Sequence, residues 1–147
     1  MKWAISVVFS VCAACASSGA RPISAVPYGA SSALSDFETG KIREGQLISI
    51  SGFLTFGDDK HNVWESRKEY EYIRRERPPR NDPAWGKCIS LMNYGKFRSK
   101  LLRYNGKQVK ITGYISRQTP ASDEINLGSC NDVSLSLEGD GVRVTIG

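Results

Sequence analysis

Few residues in this chain could do chemistry. His61 is the only histidine, and it stands in Lys60-His-Asn-Val-Trp-Glu-Ser66 beside Trp64, one of three tryptophans. Without a second histidine or a free cysteine, a Cys–His pair or a histidine-rich metal site is excluded. A serine triad needs its base oriented by a third group. His61 follows Gly57-Asp-Asp-Lys60 and reads as an exposed histidine in a turn between two strands. Asp58 and Asp59 are adjacent, so on a strand they would point to opposite sides. In a turn they bond local backbone N–H groups and solvate it. No residue pattern here calls for a metal or any other cofactor.

The cysteines divide by place. Cys12 and Cys15 lie at the end of an apolar run, Trp3 to Ala14, preceded by the single cation Lys2. A run of about a dozen apolar residues suits a signal-peptide core and falls short of the roughly twenty needed to span a bilayer. Residues 1–20 are therefore expected to be a signal peptide, cut after residue 14, 16 or 20. Two routes stay open. Small residues at 14–16 and 18–20 suit ordinary signal peptidase, whereas Cys12-Ala-Ala-Cys15 resembles a bacterial lipobox that would lipidate Cys15. Cys12 stands where that pattern usually has leucine or valine. Residues 21–43 are read as a flexible segment or tether. In an exported chain the remaining pair, Cys88 and Cys130, argues for a disulfide worth roughly 4 kcal/mol by loop-closure entropy.

Binding chemistry is better represented. Phe53 and Tyr114 hold matching positions in two similar segments, and Trp64 sits where apolar sequence gives way to charge. Together they suggest an aromatic face, with Trp85 packing the loop before Cys88. Residues 65–80 carry six cations against four carboxylates, the composition of a mixed solvated face. The stretch 96–110 differs. Lys96, Arg98, Lys100, Arg103, Lys107 and Lys110 occur with no acid among them, which predicts a positive edge.

The elements that must position these residues are mostly strands. Ile48-Ser-Ile-Ser-Gly-Phe-Leu54 and Val109-Lys-Ile-Thr-Gly-Tyr-Ile115 alternate with period two, each with a glycine in its middle. Glycine weakens a flat strand, so a bend or bulge is expected at both places. Lys87–Met92 reads as a strand carrying Cys88, and Glu124–Cys130 as another. Val133–Leu137 and Val142–Ile146 read as a hairpin turning through Glu138-Gly-Asp-Gly141. Phe97, Leu101 and Tyr104 have helical spacing and are stopped by Asn105-Gly106. A second helical or irregular piece is expected over Trp64 to Arg75, ended by Pro78-Pro79. One domain over residues 44–147 fits the length of 147 residues.

Paired segments of this form, separated by a third strand and a short helix, resemble strands one and four of an OB-fold. That implies a mostly β, small OB-fold-like barrel with one or two short helices. The chain also resembles a loose group of uncharacterised exported bacterial proteins, through Gly52, Asn62-Val-Trp-Glu-Ser66, Cys88, Gly106 to Gly113 and Cys130. The group implies fold and compartment and no activity. The expected function is a non-catalytic envelope binding module, periplasmic or secreted, using Phe53, Trp64 and Tyr114 with the cationic edge. Its partners would be anionic envelope components or an envelope protein rather than nucleic acid, with membrane contact only through a lipid anchor. A structural or inhibitor-like component is the alternative. By analogy with secreted nucleases on such barrels, Asp58, Asp59 and Arg75 are the residues an enzyme would use.

Overall fold

The computed structural model describes residues 26–118 and 130–147. The expected signal peptide, Cys15 and most of the strand ending at Cys130 lie outside them. Six strands are present: β1 (Leu47–Gly57), β2 (Lys60–Trp64), β3 (Cys88–Met92), β4 (Gln108–Arg117), β5 (Val133–Ser136) and β6 (Arg143–Ile146). Three short helices accompany them: α1 (Ala30–Glu38), α2 (Arg67–Glu76) and α3 (Arg98–Tyr104). Among the described residues, no helix is long and apolar enough to cross a membrane.

The strands close a barrel. β1 pairs antiparallel with β2 and β4, β2 with β3, β3 in parallel with β5, and β5 with β4. With α3 between β3 and β4, this is the pairing scheme of an OB-fold. Ile50, Leu54, Val63, Ile89, Leu91, Ile111, Ile115 and Leu135 fill the interior with no exposed surface. Leu101 of α3 is equally buried and plugs one end.

The two mid-strand glycines mark where a long strand changes partners. Ahead of Gly52, β1 has Tyr28 on its free edge; beyond it, β2 takes that edge. A Cβ on Gly52 would lie 2.3 Å from the Trp64 carbonyl oxygen. β4 behaves likewise, passing from β6 to β5 at Gly113, where a Cβ would lie 2.6 Å from the Ser136 carbonyl oxygen. The repeated sequence pattern thus marks the two partner changes through which five strands close on themselves.

Several expectations need correcting. β5 and β6 do not pair with each other as a hairpin; both lie along β4, because β5 must insert between β3 and β4 to close the barrel. α2 begins at Arg67, and Trp64 belongs to β2. His61 is a half-buried residue of β2, not an exposed turn residue. Within the segment read as a tether, Ala30–Glu38 is a helix whose Ala30 and Ala33 have no exposed surface. Alanine lets that helix lie close against the barrel. Its first turn is held by the Ser31 amide donating to Glu65 Oε2 at 2.7 Å, beside Gly29.

Candidate binding site

One row across the outer face of the barrel sets up the site. Phe53 of β1 lies opposite Trp64 of β2, which lies opposite Cys88 of β3. These side chains face away from the core, so something else must cover them. The chain from Glu65 to Lys87 does this by folding back as α2 and a short 3-10 turn, Pro83–Lys87. Ile73 and Ala84 complete a second apolar cluster with Phe53, Trp64, Cys88 and Cys130, and Tyr70 and Trp85 pack against it. The Cys88–Cys130 disulfide, with Cα atoms 6.0 Å apart, lies within it.

Local sequence explains why the cover holds its place. Ser66 caps α2 by accepting from the Lys68 amide at 3.1 Å, while its hydroxyl donates to the Glu69 carboxylate one turn on. The Ser66 hydroxyl is the main reason that the Glu69 carboxyl titrates below its ordinary range. Asp82 caps the 3-10 turn through the Ala84 amide, and the Tyr72 hydroxyl donates to its other oxygen at 3.3 Å. Asp82 beside it pushes the Tyr72 phenol upward. Asn131 then donates to the carbonyls of Cys88 and Trp85, tying the turn to β3.

Between this cover and the barrel lies a cavity of about 210 Å³. Trp64, Tyr70, Ile73 and Trp85 form its apolar wall. The Trp64 ring centroid lies 5.7 Å from that of Tyr70 and 6.2 Å from that of Trp85. Both indole N–H groups are already used: Trp64 Nε1 donates to Thr55 at 3.0 Å and Trp85 Nε1 to the Pro79 carbonyl at 3.2 Å. The two indoles therefore present no spare donor to the cavity. At the base, Asn62 Oδ1 accepts from the Ser90 hydroxyl at 3.0 Å. The rim holds Lys60, Arg74 and Arg80 against one carboxylate, Asp59. Lys60 donates to the Tyr70 hydroxyl at 3.1 Å, and the Arg80 guanidinium sits 4.5 Å above the Trp85 ring.

The expected site residues separate. Phe53 and Trp64 come together, but Tyr114 does not join them. β1 and β4 run antiparallel, so matching positions in their two sequences fall toward opposite ends of the ladder: Phe53 faces Gln108, and Tyr114 faces Leu47. The Tyr114 hydroxyl donates to the Asp140 carbonyl at 2.7 Å and secures the loop between β5 and β6. Lys96, Arg98, Lys100, Arg103, Lys107 and Lys110 gather around α3 and the start of β4, outside the cavity lining. The rim cations come instead from residues 60–80, whose mixed charge concealed them. Tyr70, Ile73 and Arg74 lie three and four residues apart on α2, and that spacing was the available signal.

His61 points to the other face of β2. Its ring lies 6.0 Å from Tyr94, beside Phe56, and burial lowers its pKa. Asp59 and Arg74 line the cavity, while Asp58 does not and Arg75 pairs with Glu76. Among the described residues, no group of three potential metal ligands occurs. Aromatic and apolar side chains thus line the cavity beside three cations and one carboxylate. Comparison with family models, curated proteins and solved structures returned no match.

Proposed function

We propose that this protein is an exported, non-catalytic binding module of the cell envelope whose ligand is a small ring-bearing anion. The observation that carries this reading is the convergence of Trp64, Tyr70 and Trp85 on one cavity under a rim of Lys60, Arg74 and Arg80. A volume near 210 Å³ lies below the roughly 300 Å³ at which drug-sized pockets begin. It accommodates one ring rather than a polymer segment. Stacking on indole and phenol faces supplies the attraction, and the cations select an acidic substituent. The export part of the reading rests on the N-terminal apolar run and on the disulfide, which persists in oxidising compartments.

Phenylacetate and the uncharged benzyl alcohol form a matched pair of probes. For about ten ligand atoms, ordinary ligand efficiencies give a dissociation constant of about 0.1–1 mM. Titration followed by tryptophan fluorescence is expected to show phenylacetate binding more tightly than benzyl alcohol. Trp85→Ala is expected to weaken both about tenfold, and Arg74→Gln to remove only the preference for the acid. Equal, unsaturable responses in the parent and in Trp85→Ala would reject the reading.

A further inference from the structure

The end of the barrel closed by α3 presents a second surface that owes nothing to the cavity. α3 buries Leu101 completely yet leaves Leu102 48% exposed. β6, which packs against α3, leaves Ile146 54% exposed. Two large aliphatic side chains thus stand in solvent at one end of the molecule. The same stretch of chain carries cations: Lys96, Arg98, Lys100 and Arg103 on α3 and its entry turn, and Lys107 just beyond. Lys110 extends the set on β4, opposite Thr145 of β6. Among the described residues, none of these six has a carboxylate within ion-pair distance. The sequence has no Asp or Glu between Asp82 and Asp123, and β6 adds Arg143 rather than an acid.

A polyanion would use the cations and leave Leu102 and Ile146 in water. An anionic bilayer uses both, because phosphates meet the cations while aliphatic side chains enter the boundary with the acyl chains. We propose that the α3–β6 end docks on the surface of an anionic phospholipid bilayer. Lys96, Arg98, Lys100, Arg103 and Lys107 contact headgroup phosphates, and Leu102 and Ile146 insert between them. Membrane contact then does not depend on a lipid at Cys15.

Co-sedimentation of the full chain with phosphatidylcholine vesicles, made with and without phosphatidylglycerol, tests this. The Arg98→Gln/Lys100→Gln and Leu102→Asn/Ile146→Asn double variants carry the same N-terminal apolar run as the parent. Differences between chains therefore report on this surface. The parent is expected to bind more when phosphatidylglycerol is present, and less as salt is added. Each cation removed should lower that added partition about fivefold. The Leu102→Asn/Ile146→Asn chain should lose it with net charge unchanged. Equal partition onto both vesicle types would overturn the proposal. So would retention of binding by the apolar variant while the charge variant fails, since that pattern belongs to a polyanion site. Near-ultraviolet circular dichroism checks that both variants remain folded.

Discussion

Among the described glycines, Gly52 leaves the least room for a Cβ. A Cβ there would lie 2.3 Å from the Trp64 carbonyl oxygen and 2.8 Å from Val63 Cγ1, both fixed by the barrel wall. Gly52→Ala is expected to cost about 3 kcal/mol in urea unfolding, and to disturb the cavity because Trp64 must move. Gly57, at the end of the same strand, has open space where a Cβ would go, so Gly57→Ala should avoid that steric cost. His61 gives a second residue-scale test. Burial lowers its pKa below the ordinary 6.5, so the unfolded chain takes up the proton first as pH falls. This histidine leaves stability level above pH 6.5 and reduces it as pH drops through the lowered folded value. His61→Gln should remove that slope, which thermal unfolding across this range would show. No slope in the parent would mean that the ring is better hydrated than its place beside Tyr94 implies.

At the scale of elements, α2 supplies one wall of the site. It brings Tyr70, Ile73 and Arg74 to the cavity and is fixed at its start by Ser66 and Glu69. Ser66→Ala should cost about 1 kcal/mol and weaken probe binding by loosening one wall. Glu69 titrates low, so its contribution is present above pH 4.5 and lost as pH falls through the folded value. The Cys88–Cys130 disulfide lies in the apolar cluster under this cover, outside the cavity lining, and its reduction should cost roughly 4 kcal/mol in urea. What the sequence revealed follows from which elements carry strong periodicity. β1, β4 and α3 were legible because alternation and helical spacing write their buried faces directly. α1 was hidden although Ala30, Ala33, Leu34 and Phe37 fall at helical spacing and pack on the core, because the small, polar and proline-rich sequence before it was read as a tether. The β5–β6 hairpin was misread because local turn chemistry cannot report that another strand claims the intervening edge.

Over the whole molecule, the barrel divides its labours by face. The interior is aliphatic, one outer face holds the aromatic cavity under α2, and the α3 end is cationic. The sequence offered the aromatic and basic residues as one site because it lists them without direction. Antiparallel pairing of β1 and β4 sends Tyr114 away from Phe53, and α3 carries the basic run to the barrel's end. Conversely, residues 65–80 were read as a mixed solvated face, helical or irregular as far as Arg75, yet with the 3-10 turn after them they form the cavity's cover. Only the three-dimensional return of that segment over Trp64 creates a cavity from it.

The most direct test of the cavity as the binding site is an NMR titration of the folded protein with phenylacetate. Its readouts would be the indole N–H signals of Trp64 and Trp85 and the backbone amides of α2 and α3. Saturable shifts centred on Trp64, Tyr70, Arg74 and Trp85 are expected, with α3 unmoved. Shifts confined to α3 and its neighbouring lysines, or no saturable shift at the two indoles, would contradict binding in the cavity.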